Sequence, residues 1–304
     1  MTAEPVGTLR VMRIGIVDVG SNTMRLLVAE TAAGAVAPIH QDRLQVGLGA
    51  AIEQHGWIPD AKLAEAADCA RQFASQARAL RCGDLRVVVT APGRQSVNAD
   101  DLVIELQRAT GAVPRVLSAE DEGRYAYLGA AATLPGAPVT LAVCDVGGGS
   151  TEVAVGPSDG SPEWLASVDI GSLRLTSRML EGDAPGKGRV KAARAEVAEL
   201  FAGLDAPPAD IALAVGGSAR ALRRIVEGPL SGKALDEVAD HLAKRSAVKL
   251  AAAHGIGDRR AATLLAGAVI LAQATRVVGL PFEVARAGLR EGLAAEAIAE
   301  RLAA

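Results

Sequence analysis

Short apolar runs bounded by Gly, Asn, Asp and Pro alternate along the chain with longer stretches in which apolar residues recur every three to four positions. The first kind reads as strands and the second as helices. Residues 11–19, 24–30 and 35–46 predict three strands of one sheet, and 60–80 a helix with Asp60 at its N-cap. A buried strand at 85–90, a helix at 97–110 opened by VNADD, a short strand in VPRVL and a helix at 119–133 complete a first half. The second half opens with strands at 139–146, in TEVAV and at 163–170. Helices at 171–181 and 187–204 follow, then a strand at 210–215 that leads through Gly216, Gly217 and Ser218 into a helix. Helices at 235–253 and 258–275, a strand near 282–285 and a helix at 289–303 close the chain. Strand–helix alternation predicts the α/β class. The turn-rich LPGAP at 134–138 marks the link, giving 1–11 as a flexible tail, 12–133 as one domain and 134–304 as a second.

One pattern occurs twice. IGIVDVGSNTMRLLV at 14–28 and LAVCDVGGGSTEVAV at 141–155 align at Asp18 and Asp145, 127 residues apart. A repeat so widely spaced predicts two related domains, not a solenoid. Each copy predicts a β-hairpin with Asp at the end of its first strand and a loop of Gly, Ser, Asn and Thr. Glycine lets the backbone turn sharply and approach a ligand, and successive N–H groups in such a loop form an anion-binding hollow. Two hairpins of this kind facing each other across a cleft would hold a phosphate chain and its metal ion.

Composition narrows the partners. Aromatic residues make up only 2% of the chain, too few for base-stacking platforms, so no nucleic-acid partner is expected. The net charge is −3, so a polyanion must be held by local Arg and Lys and by metal, not by the global field. Cys69, Cys82 and Cys144 form no C-x-x-C pair and are odd in number, which argues against a disulfide framework. The four histidines lack metal-ligand spacing. Residues 1–11 lack the apolar stretch of a signal peptide. The apolar segment 261–275 is short for a bilayer span, contains Gln273 and is flanked by Arg259, Arg260 and Arg276, which predicts a buried helix. A cytoplasmic location and no membrane partner are the expectations.

Six motifs carry a resemblance: DVGSNTMR at 18–25, TAPGRQSVN at 90–98, SAEDEGR at 118–124, DVGGGSTE at 145–152, GSLRLT at 171–176 and AGLREGL at 287–293. The twin Asp-led hairpins and the later Gly-Gly turn resemble the superfold shared by actin, sugar kinases and heat-shock chaperones. From about residue 13 to 303 the chain more specifically resembles the exopolyphosphatase and guanosine pentaphosphatase (Ppx/GppA) family, in its short two-domain form. The resemblance implies two actin-like (ribonuclease H-like) domains, each a mixed sheet flanked by helices, with a cleft between them. Two departures stand out. Ala-Pro-Gly at 91–93 replaces the family's usual Ser and apolar residues, which predicts an altered cleft around Arg94. Ala119 and Gly123 stand where Gly and Ala are usual.

The resemblance implies Glu122 as general base, Asp145 and Glu152 as Mg²⁺ ligands, and a substrate site built from both hairpins. Ser21, Asn22 and Thr23 beside Asp18 would grip phosphate from the first domain, and Gly147, Gly148, Gly149, Ser150 and Thr151 from the second. Arg25, Arg94 and Arg124 offer planar forks to phosphate oxygens, with Asn98 in support. Gly217 and Ser218 resemble the adenosine-side loop of the superfold. The residues alone leave other readings open. Acids at 120–122 are what the first turn of any helix favours, Glu152 at a strand start is equally a solvent-facing residue, and most arginines are solvated. Three glycines after a buried Asp do exceed what a turn requires. The basic run Lys187, Arg189, Lys191 and Arg194 reads as a solvated helix face. The implied function is Mg²⁺-dependent release of the terminal phosphate of inorganic polyphosphate by direct attack of water, with a homodimer expected by family analogy. The alternatives are guanosine pentaphosphate as substrate, a small-molecule phosphotransferase, and a non-hydrolytic actin-like regulator.

Overall fold

The computed structural model describes residues 12–32 and 35–303; the predicted tail at 1–11 lies outside them. The first half builds a five-stranded mixed sheet from β1 (Arg13–Val19), β2 (Thr23–Ala32), β3 (Ala35–Gln45), β4 (Asp84–Val89) and β5 (Arg115–Val116), in the order β3-β2-β1-β4-β5. The second half repeats that plan with β6 (Thr140–Val146), β7 (Thr151–Pro157), β8 (Trp164–Val168), β9 (Ile211–Val215) and β10 (Glu283–Val284), in the order β8-β7-β6-β9-β10. In each sheet the first three strands run antiparallel and the last two join in parallel, so the sequence repeat is a repeat of topology.

Five helices belong to the first half: α1 (Leu48–His55), α2 (Asp60–Ala79), α3 (Ala91–Gln95), α4 (Ala99–Thr110) and α5 (Ala119–Ala131). Next come α6 (Ser172–Leu175), running into a π-helical turn at Thr176–Leu180, then α7 (Gly186–Leu200), α8 (Gly216–Leu222) and α9 (Gly232–Leu242). The last are α10 (Ala247–His254), α11 (Asp258–Ala262), α12 (Leu264–Val278) and α13 (Leu289–Ala303). The short helices α1 and α3 escape the sequence reading, because eight and five residues are too few to display a helical period. Two predicted helices are each two. The 235–253 segment breaks after α9, where Ser246 caps α10, and the 258–275 segment breaks at Thr263. Asp60 is the first residue of α2 and not its cap, which is the extended Pro59. The predicted buried helix is α12, covered along nearly its whole length. Among the described residues no helix is long and apolar enough to cross a membrane.

Strand alternation decides where the chemistry points. On β1, Val17 and Val19 join the core under α1, α2 and α4, while Ile14 and Ile16 pack on the opposite face with Tyr125 of α5 and Leu293, Ala294 and Ala297 of α13. Asp18 shares the parity of Ile14 and Ile16 and so faces α5 and α13. On β6, Ala142, Cys144 and Val146 enter the large core around α12, while Leu141 and Val143 pack on Ala126, Tyr127 and Ala130 of α5. Asp145 shares their parity. The inner faces of the two sheets therefore meet the same pair of helices, and both Asp-bearing strand ends converge there. The last helix, grouped with the second half in the sequence reading, has its buried face on the first sheet.

Candidate active site

The two loops touch. A methyl added at Gly148 would lie 3.0 Å from Ser21 Cβ, and one at Gly149 2.9 Å from Ala91 Cβ and 3.0 Å from Ser21 Oγ. Each loop is tied back by its own lobe. The Gly49 amide donates to the Ser21 carbonyl (2.7 Å) and the Gly47 amide to that of Asn22 (3.2 Å). The amides of Ser172, Leu173 and Arg174 donate to the carbonyls of Gly147 and Gly148 at 2.9, 3.0 and 3.1 Å. Gly171 permits this approach, since a methyl there would meet the Gly148 carbonyl carbon at 2.4 Å. With the carbonyls engaged, no acceptor among the described residues meets the amides of Ser21, Asn22, Gly148, Gly149 or Ser150. That is the donor set of an anion nest.

These loops wall a cavity of about 100 Å³ that Asp18, Glu122 and Asp145 also line. Asp18 pairs across its hairpin with Arg25, whereas Asp145 pairs with Glu152 at the equivalent position. The duplicated scaffold thus sets a cation beside one aspartate and an acid beside the other. Burial raises the Asp18 carboxyl, with Arg25 and Arg290 opposing it. Burial lifts Asp145 to about 6 against the pull of Arg25 and Arg220. At the start of Gly216–Leu222, Gly216 has φ +88°, and a methyl there would come within 2.7 Å of Asp145 Oδ1.

Glu122 sits in the first turn of α5, whose N-cap Ser118 Oγ accepts from the Asp121 amide (3.0 Å). Burial raises its carboxyl to about 7; Arg94 restrains the rise, while Asp145 and Asp18 add to it. Arg94 Nη2 lies 2.5 Å from Glu122 Oε2, and its Nη1 donates to the Leu117 carbonyl at 2.7 Å. Among the described residues the Arg94 guanidinium is the cation paired with this oxygen. The altered 91–93 segment forms the short helix α3 and still delivers Arg94 to Glu122. Gly93 is needed here, since a methyl would meet Val116 Cγ1 at 2.7 Å. Gly123 likewise makes room for Leu165, whose Cδ1 lies 2.7 Å from where a methyl would stand.

Several sequence-proposed residues lie away from the cavity wall. Glu152 is buried behind it and accepts from Ser167 Oγ at 2.9 Å; burial first, then Glu122 and Asp145, raise its carboxyl well above the usual range. Thr151 is buried and donates its hydroxyl to the Ile170 carbonyl (2.6 Å). Asn98 clamps the backbone of Ile58, accepting from its amide at 2.8 Å and donating to its carbonyl at 3.0 Å. Arg124 pairs with Glu296 (2.8 Å) and stacks over Tyr125, outside the cleft. Ser218 is buried and accepts from Arg260 at 3.2 Å, while Gly217 does line the cavity, as do Thr23 and Arg25. The sequence reading missed Thr90, Ser172, Arg220, Arg260, Arg290 and Glu291, all on the wall. Thr90, Ser172 and the Arg290–Glu291 pair lie inside resemblance motifs, a signal that was present. Arg220 and Arg260 carry none, because helix packing alone brings them in.

Two ribonuclease H-like lobes, each lending an Asp-led loop to one shared cleft, define a protein of the actin-like superfold arranged to handle phosphoryl groups. The sequence profile of the Ppx/GppA phosphatase family matches residues 27–300, and the chain belongs to that family. Exopolyphosphatase 1 of Mycobacterium tuberculosis is 30% identical over 300 residues, spanning 93% of this chain and 87% of that protein. The guanosine-5'-triphosphate,3'-diphosphate pyrophosphatase of Pseudoalteromonas atlantica is 32% identical over 167 residues, 55% of this chain and 33% of that one. The crystal structure of the Aquifex aeolicus Ppx/GppA family member superposes with a TM-score of 0.80 at 25% identity, covering 96% of this chain and 99% of the other. An exopolyphosphatase from Cytophaga hutchinsonii shares the fold at a TM-score of 0.85 and 19% identity, over 95% and 98% of the two chains.

Proposed function

We propose that this chain is an exopolyphosphatase that removes the terminal phosphate of inorganic polyphosphate by in-line attack of water. The observation that carries this reading is that both loops, Asp18, Asp145 and Glu122 line one cleft. Unpaired loop amides, a cluster of guanidinium groups and a buried carboxylate on one wall suit a phosphoryl group held beside its attacking water. The free amides of both loops and the forks of Arg25, Arg220 and Arg290 would grip the terminal phosphoryl oxygens. Glu122 would take a proton from water as the new P–O bond forms and the bridging P–O bond breaks. The shortened chain leaves with the bridging oxygen, and Glu122 passes its proton to the products or to solvent. Its raised basicity suits a base working near neutrality.

A divalent cation fits the donor set as a guest of protein and substrate together. Among the described residues no three of Asp, Glu, His and Cys are grouped to cage an ion alone. Mg²⁺ prefers one or two carboxylates with water and phosphate oxygens. Asp145 on the wall would hold it, with Glu152 behind. When bound, the ion offsets negative charge on the phosphate. Three free cysteines suit a reducing cytoplasm.

Phosphate release from tripolyphosphate, long-chain polyphosphate, guanosine pentaphosphate and ATP in the presence of Mg²⁺ tests the reading. Polyphosphate should turn over fastest; phosphoryl transfer from ATP to an acceptor, or inertness toward every polyphosphate, would overturn it. The pH profile gives a second check. With Glu122 near 7, the ionised base is lost as pH falls, so kcat/KM should drop about tenfold per unit below that point.

A further inference from the structure

Each phosphate loop is carried by the start of a helix in its own lobe. The amides of Gly47 and Gly49, where α1 begins, hold the carbonyls of Asn22 and Ser21. The amides of Ser172, Leu173 and Arg174 of α6 hold those of Gly147 and Gly148. The two helices then meet across the lobes. A methyl at Gly49 would lie 2.9 Å from Leu173 Cδ2, and Glu53, one turn along the same face of α1, reaches Arg174. Glu53 Oε1 accepts from Arg174 Nε at 2.6 Å, and its Oε2 accepts from Arg178 Nε at 3.0 Å. Arg174 Nη1 turns back to its own lobe, donating to the Asp169 carbonyl at 3.2 Å and pairing with the Asp169 carboxylate. That carboxylate also accepts from Gln95 Nε2 of α3, in the first lobe, at 2.8 Å.

Neither Glu53 nor Arg174 lines the cleft. Arg174 is nonetheless only 5% exposed, whereas Arg178 is half exposed. Two charges withdrawn from water add little net stability, and the best-attested use of such a pair is to fix register. Here the planar guanidinium is a rigid fork with one prong on each lobe. An unbroken path runs from the Ser21 carbonyl through Gly49, one turn of α1, Glu53 and Arg174 to the Gly148 carbonyl. Every other link in it is a hydrogen bond. We propose that Glu53 and Arg174 are positioning residues that hold the two phosphate loops in register, so that the amides of both close on the same terminal phosphoryl group. The inference rests on the cleft being the hydrolytic site, and it adds what sets the distance between the two grips. Misplacement by about 1 Å at a reacting centre costs up to about 10²-fold in rate.

Steady-state phosphate release from tripolyphosphate and from long-chain polyphosphate is compared for wild type, Glu53→Ala, Glu53→Gln, Arg174→Lys and the double variant Glu53→Ala, Arg174→Lys, with urea midpoints fixing conditions in which each is folded. Glu53→Ala should lower kcat/KM at least about tenfold, and equally on both substrates, because the grip is on the chain end. Glu53→Gln keeps an oxygen for Arg174 Nε and should recover part of the loss. Arg174→Lys keeps the charge without the fork and should lose as much as Glu53→Ala. The double variant should fall no further than the worse single one, since both break one link. Arg178→Gln is the control: its exposed pair leaves the Glu53–Arg174 contact in place, so activity should stay within about twofold of wild type. Wild-type kcat/KM in folded Glu53→Ala, additive losses in the double variant, an equal loss in Arg178→Gln, or a loss confined to long chains would each overturn the assignment. Binding is measured separately, by calorimetric titration of tripolyphosphate with Mg²⁺ into Glu122→Gln protein with and without Arg174→Lys. Weaker binding with the lysine supports the register even where turnover is absent, and identical binding overturns it. Absence of turnover on any polyphosphate by the wild-type protein would overturn the hydrolase reading instead.

Discussion

Glu122→Gln is expected to lower kcat by about 10² to 10⁴-fold with little change in KM, the range a positioned general base contributes. The amide keeps the shape of the side chain and a contact to Arg94, but it cannot accept the proton of the attacking water. The loops, their free amides and the arginines stay as they were, so substrate binding persists. Ligand-free protein offers an independent readout. Burial raises Glu122 from 4.5 to about 7 and Asp145 from 3.8 to about 6, so the folded site holds protons that the unfolded chain has already released. Between about pH 4 and 7 stability should therefore fall as pH rises, the reverse of a carboxylate held ionised by a partner. Above about 7 the Glu122 share of that penalty is complete. Glu122→Gln should flatten part of the slope, which urea midpoints at several pH values would show. Wild-type turnover in the folded variant would remove Glu122 from its assigned role.

Gly129→Ala should be the most destabilising single methyl in the chain. The helices Ala119–Ala131 and Leu289–Ala303 cross at backbone contact. A methyl at Gly129 would fall 1.9 Å from the Gly288 carbonyl oxygen, and one at Gly292 2.1 Å from the Tyr125 carbonyl oxygen. Neither neighbour is a side chain that can swing aside, so the helices must part. Overpacking costs typically 1–3 kcal/mol, and backbone against backbone belongs at or above the top, so about 3 kcal/mol or more is expected. The same displacement draws Arg290 and Glu291 off the cavity wall, so activity should fall with stability. Gly188→Ala is the control. It lies within Gly186–Leu200 with nothing near its missing methyl and should gain up to about 1 kcal/mol from helix propensity. Denaturant midpoints of the three proteins decide it. Equal stability of Gly129→Ala and wild type would mean the crossing is looser than described.

The Asp-Val-Gly hairpins were legible because a strand, a tight polar turn and a returning strand are local objects, written in consecutive residues. Their duplication was legible for the same reason, and both sheets carry it as the same strand order. Glu122 was legible only through its motif, since an acid in a first helical turn has a commonplace explanation. Asn98 and Arg124 looked equally suited to phosphate, yet the first holds the Ile58 backbone and the second pairs with Glu296, more than 150 positions along the chain. Their residue types were informative and their partners were not, because partners at that separation are chosen by packing.

What the amino-acid order determined by itself is the pair of anion-gripping turns, the Asp at the end of each first strand, and the α/β alternation around them. Short-range sterics, period-two side-chain direction and apolar patterning suffice for those. Only the tertiary structure decided that the last helix returns to the first sheet, that Glu152 is sealed behind the wall while Glu122 reaches it, and that Arg220, Arg260 and Arg290 gather beside Arg25. Each of those outcomes depends on which helix faces settle against one another once the two sheets share the same helix pair, and that is a property of the packed whole.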